Sequence, residues 1–101
     1  MVRVDEITVA VPTIYIYIFT QHALREMRRR GIREDEVRFV LDDPDQFEQV
    51  RSGRCVYQSR LMKGAPLKTY LLRVFVDVDH DPPEVVTAHQ TSKVQKYWRS
   101  E

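Results

Sequence analysis

At 101 residues the chain is long enough for one domain with one core, which leaves little room for a second. Its 43% hydrophobic content excludes wholesale disorder. A formal charge of +1, from 16 basic and 15 acidic side chains, excludes a protein whose entire surface binds nucleic acid.

Residues 1–12 are mixed in character and end at Pro12, which reads as an extended arm or an edge strand. Thr13 to Phe19 alternates strictly between β-branched and aromatic residues and predicts the clearest strand. Ile14, Ile16 and Ile18 then share one face and Tyr15, Tyr17 and Phe19 the other. This apolar stretch is far too short to span a bilayer. The residues from Met1 to Glu6 lack the basic and apolar regions of a signal peptide, so a cytosolic location and no membrane partner are expected.

Thr20 is a good N-cap for a helix of about ten residues with Ala23, Leu24 and Met27 as its apolar stripe, ended by Gly31. A second helix is predicted from Glu34 to Asp42, stopped by Pro44. Ile32, Val37, Val40 and Leu41 supply its buried side, and three acidic residues occupy its first turn, where the helix dipole favours them. The short connection makes the pair a helical hairpin.

The remainder reads as sheet. Strands are predicted at Phe47–Arg51, Arg54–Met62, Thr69–Val78 and Glu84–Gln90, with turns at Ser52-Gly53 and Lys63-Gly64-Ala65-Pro66 and a Pro-rich loop at residues 79–83. Thr69–Val78 is the most apolar and is expected at the centre. Residues 91–101 fit either a short helix or coil. The expected architecture is a single α+β domain, two N-terminal helices packed on a mainly antiparallel sheet.

Strand parity defines the candidate chemistry. Tyr70, Leu72, Val74, Val76 and Val78 form one apolar face, which turns Arg73 the other way beside Leu71, Phe75 and Asp77. Val86 and Ala88 suit the core, which places Thr87 and His89 opposite, and Arg60 can share that second face. Arg60, Arg73 and His89 would there suit a phosphodiester: the arginines stabilise developing charge and the histidine moves a proton near neutral pH. The alternative is a half-solvated sheet face carrying Arg–Asp pairs.

His22 opens the first helix as either a catalytic imidazole or a surface residue. The run Arg25, Arg28, Arg29, Arg30, Arg33 could track a phosphate backbone or form a solvated helix face. The hairpin is a poor duplex-DNA reader, because Glu34, Asp35 and Glu36 would meet phosphates with like charge. Cys55 alone cannot form an intramolecular disulfide and reads as a buried inert thiol, and no Cys/His spacing matches a zinc site. Asp79-His80-Asp81 lacks a fourth ligand and reads as a solvated turn, so no metal site is expected. Trp98 reads as a packing anchor.

The stretch His22 to Ile32, with Val37, Leu41 and Pro44, and the closing stretch Val85 to Trp98 resemble a prokaryotic domain-of-unknown-function family allied to the RelE/BrnT-like toxins. The resemblance covers roughly residues 18–98. It implies the toxin of a type II toxin–antitoxin pair, a metal-independent endoribonuclease without cofactor in which the RNA 2′-hydroxyl attacks the adjacent phosphate. It further implies Arg60 and Arg73 as phosphate clamps, His89 as acid or base and His22 as support from the helix. Arg25, Arg28, Lys93 and Tyr97 would contact RNA. The implied partners are a small antitoxin and RNA, including ribosome-bound mRNA, and a homodimer is a further candidate. The competing reading is a non-catalytic interaction domain of the same fold, using the aromatic strand or a sheet edge.

Overall fold

The computed structural model describes residues 14–100; the arm expected at residues 1–12 lies outside them. In chain order the elements are β1 (Ile18–Phe19), α1 (Gln21–Arg30), α2 (Glu34–Asp42), β2 (Gln46–Arg51), β3 (Arg54–Lys63), β4 (Lys68–Asp77), β5 (Glu84–Thr91) and α3 (Val94–Tyr97). The five strands form one sheet in the order β1-β5-β4-β3-β2. The β1–β5 pair is parallel and the other three are antiparallel. Both long helices lie early in the chain, as periodicity predicts, and β4 is central.

The helices begin and end for local reasons. Thr20 Oγ1 accepts from the Ala23 amide at 3.0 Å and so satisfies one orphan donor of α1. Gly31, at φ 71°, closes the helix in the left-handed region while its amide turns back to Arg28. At the start of α2 the Glu36 carboxylate accepts from the Arg33 amide at 2.9 Å and takes the Lys63 ammonium at 3.1 Å. That pair ties α2 to the end of β3.

One face of the sheet meets the helices. Met27, Val37, Val40 and Leu41 pack there on Tyr57, Leu72, Val74, Val76, Val85 and Ala88, all at most 3% exposed. Cys55 is also buried in this core, and burial pushes its thiol up, away from nucleophilic character. Residue 57 stacks on Phe47 with ring centroids 5.2 Å apart, and burial pushes its phenol up to about 12.

Two expectations about the strands are corrected. The strand at Thr13–Phe19 reduces to Ile18–Phe19, paired with Glu84 and Val85. The aromatic side supplies its core contacts: Tyr17 and Phe19 pack on the core, whereas Ile16 and Ile18 are 75% and 46% exposed. Ile14 is buried because the chain bends before Ile18 and its amide bonds to Leu41 O. Alternation reports a strand only where a neighbour exists to hold it extended, and here β5 pairs with two residues alone.

The second correction concerns β5. Its pairing with β4 shifts between Phe75↔Thr87 and Val76↔Val85, leaving Val86 as one extra residue. Val85, not Val86, therefore enters the core, and Ala88 enters it again three residues later. His89 still faces away, because it follows Ala88 beyond the bulge.

Beyond Val85 the outer edge of β5 has no strand partner among the described residues, and α1 covers it. Arg30 donates to Ala88 O at 2.7 Å, and Gln90 Nε2 donates to Arg30 O at 3.0 Å. An edge closed by a guanidinium and an amide presents fewer open ladder groups.

Candidate functional site

The face of the sheet away from the long helices carries a different composition. Arg73 on β4 stands between Gln58 on β3 and His89 on β5 in direct register. Gln58 pairs in turn with Gln46 on β2. Residues directly opposite in an antiparallel pair share a face, so Gln46, Gln58, Arg73 and His89 form one row across four strands.

The C-terminal turn lies on this row. The Arg73 guanidinium sits 4.4 Å from the Tyr97 ring centre and 5.4 Å from that of Phe75. The His89 and Tyr97 rings meet edge to face at 5.9 Å. Arg60 stands opposite Leu71, two positions along β3 from the row, and stacks on Trp98 at 4.1 Å. The tail is held by side chains of β2 and β3: Gln58 Nε2 donates to Tyr97 O at 3.1 Å, Gln46 Nε2 to Arg99 O at 2.7 Å, and the Arg99 amide donates to Gln46 Oε1 at 3.0 Å. Arg99 also pairs with Glu48 at 2.7 Å.

This face separates the two readings of its arginines. An Arg–Asp pair is present at one end, where Arg54 forks onto Asp77 at 2.6 and 3.0 Å and holds that carboxyl below its usual range. At Arg60 and Arg73 no carboxylate lies within ion-pair distance among the described residues. Their partners are aromatic rings and, for Arg73, the Gln58 carbonyl oxygen at 2.9 Å. Burial lowers the Arg73 pKa, but a guanidinium stays protonated in proteins, so the residue is a half-buried cation without a paired anion among the described residues.

His89 is shifted in the same setting. Burial chiefly, and then the charges of Arg30, Arg73 and Lys96, hold its imidazole below the usual value. It is therefore mainly neutral at pH 7, with one ring nitrogen free to accept a proton. Of these charges, Arg30 is already engaged by Glu26 at 3.1 Å and Ala88 O at 2.7 Å, which leaves Arg73, in register beside a neutral imidazole, as the cation for an anion next to a proton acceptor.

The other candidates are distributed less tightly. Lys93 is exposed and caps α3, its amide donating to Thr91 Oγ1. Arg25 and Arg28 are exposed on α1. His22 is exposed on α1 one turn before Glu26, in the stripe that continues to Arg30, and no hydrogen bond or ring contact joins it to Arg73 or His89 among the described residues. His80 lies near Asp79 and Glu84, each at 3.8 Å, and no group of three metal-ligating side chains occurs among the described residues. Nor is any described helix long and apolar enough to cross a membrane.

Parity reasoning missed Gln46, Gln58 and Lys96. The signal for Gln58 was present: an uncharged polar residue at the Arg60 parity of an otherwise apolar strand centre. Its partners became visible only with the register.

Fold and site together define an α+β domain whose open sheet face bears a cationic, ring-capped polar row. The chain belongs to the family described as a domain of unknown function, DUF4258, whose model matches residues 19–90. No curated protein and no solved structure matches the chain. The matched region contains α1, α2 and the Gln46–Gln58–Arg73–His89 row, while α3 and Trp98 lie beyond it.

Proposed function

We propose that this protein is an RNA-cleaving toxin of a type II toxin–antitoxin pair, a metal-independent endoribonuclease allied to the RelE/BrnT-like toxins. The observation that supports it most is the pairing of Arg73 with His89 across β4 and β5, beneath Tyr97. In this reading a neutral His89 takes the proton of an RNA 2′-hydroxyl. The freed oxygen attacks the adjacent phosphorus, the bond to the 5′-oxygen breaks, and the leaving oxygen is protonated, with Tyr97 as the candidate acid. Arg73, aided by Arg60, stabilises charge gathering on the phosphate oxygens. The product is a 2′,3′-cyclic phosphate, and no redox partner enters the balance.

The test is purified protein on single-stranded RNA with chelator present, with the ends of the fragments identified. Cyclic phosphate ends that disappear in Arg73→Ala and His89→Ala support the reading. Intact RNA with the wild-type protein, and normal growth on its expression, would exclude it. A toxin also requires a small antitoxin partner in the cytoplasm, which co-purification with the neighbouring gene product would detect.

A second reading, a non-catalytic interaction domain, has its own observation. Tyr15 and Ile16 are 83% and 75% exposed just before β1, an apolar stretch suited to a partner or a second copy. Light scattering and pull-down with Ile16→Ser distinguish it: this reading expects a complex that the change dissolves and no RNA cleavage by the wild-type protein.

A further inference from the structure

Gln58 is 3% exposed, and both ends of its amide are engaged. Its oxygen accepts from Arg73 Nε, and its nitrogen donates to Gln46 Oε1 at 2.8 Å and to Tyr97 O at 3.1 Å. Gln46 Oε1 also accepts from the Arg99 amide, and Gln46 Nε2 returns a bond to Arg99 O. Two side-chain amides thus form an unbroken hydrogen-bonded path from the backbone of the tail to the guanidinium of Arg73.

This path determines what Arg73 can present. With Nε held by Gln58 and the Tyr97 ring against the guanidinium, the terminal NH2 groups remain as a fork suited to two phosphate oxygens. An undocked tail would remove the ring and one acceptor of Gln58 together. Arg73 would then recover rotamers that an anion must pay to freeze again. The same turn brings the charge of Lys96 to bear on His89, so tail docking also adds a cation to the seat.

We propose that Gln58 is a positioning residue that couples docking of the C-terminal turn to binding of a phosphodiester at Arg73, each stabilising the other. The inference rests on the phosphate-binding half of the function proposed above and not on cleavage. Reciprocity follows from linkage: if the docked tail raises anion affinity, the anion must hold the tail down by the same factor. A tail that merely covered the site would show the opposite sign.

The experiment uses the full-length protein and a single-stranded 2′-deoxy oligonucleotide, which lacks the attacking hydroxyl and stays intact. Amide exchange of Trp98 and Arg99 is followed by NMR with and without it, and its Kd is measured. The oligonucleotide is expected to slow exchange at Arg99, whose amide bonds to Gln46 Oε1. Gln46→Ala, which leaves every direct contact of Arg73 in place, should speed that exchange and weaken the Kd about fivefold, the scale of one lost neutral hydrogen bond. Gln58→Met should do at least as much, and if it fails to fold the edge variant Gln46→Ala decides alone. Faster Arg99 exchange on binding would overturn the coupling, as would an unchanged Kd in a Gln46→Ala protein whose tail is free. Absence of oligonucleotide binding overturns the coupling and the phosphate seat together. Binding without cleavage of the matching RNA would remove the enzyme reading and leave the coupling standing.

Discussion

The two faces of the sheet are built from the same strands and held by different physics. On the helix side, Leu72, Val74, Val76 and Val85 are fully buried among apolar neighbours, and burial alone accounts for their place. On the other side, Arg73, Gln58 and His89 are held by directed contacts: a carbonyl oxygen, an amide and two ring faces. The first face depends on filling its volume with apolar side chains, while at the row of the second it also matters which atom meets which. Substitutions on the first should register as stability and those on the second as activity or affinity.

The largest expected break of this contrast is Leu72→Ala, which leaves a cavity in the core and should cost ~2–5 kcal/mol in urea unfolding. A cost below ~1 kcal/mol would mean that the core face is loosely packed. Next comes Arg73→Ala, expected to lower RNA cleavage by about a hundredfold, on the scale of a lost charge-stabilising donor, with at most ~1 kcal/mol lost from stability. An equal loss of folding would make Arg73 a structural residue.

The Arg54–Asp77 fork tests whether the open face also has a part that serves stability alone. Arg54→Met should destabilise by ~1–2 kcal/mol and leave cleavage unchanged. His89 gives a signature in pH. Its folded value lies below the ordinary 6.5, so the unfolded chain binds more protons between the two values. Its contribution to stability is complete above about 6.5 and is lost as pH falls through that value towards the folded one. His89→Gln should flatten this part of the pH–stability curve relative to wild type, and identical slopes would show that burial does not hold the imidazole neutral. The smallest effect is expected of Glu48→Gln. Its ion pair with Arg99 is exposed on both sides, so the change should stay within ~0.5 kcal/mol.

The fold was legible where a local rule acts with little help. Thr20, Gly31 and the acidic first turn of α2 mark helix ends by satisfying backbone groups within one turn, and the structure places those ends as expected. Strand faces were legible in β4, which has a neighbour on each side to enforce alternation. The face was misread at Val86, where an extra residue breaks the period, and the strand ending at Phe19 was drawn too long, because its pairing is short. For the site, parity placed Arg60, Arg73 and His89 on one face. It could not supply register, so it could not tell that Arg60 lies two positions from the row or that Gln58 occupies it. The tail carried too few periodic positions to show that it returns across the sheet. Its anchors are single side-chain bonds that leave no pattern in sequence.

The bulge in β5 has a consequence for changes in chain length. Between Val85 and Ala88, both directed at the core, a regular strand needs one intervening residue and this chain has two. A deletion of Val86 would therefore turn the bulge into plain ladder and keep His89 beside Arg73. A flat, uninterrupted ladder through all the present residues would instead rotate the imidazole towards the helices and bring Ala88 out. The site is thus buffered against losing a residue at this point and exposed to any substitution that straightens the strand. Relatives one residue shorter here should keep the same polar row.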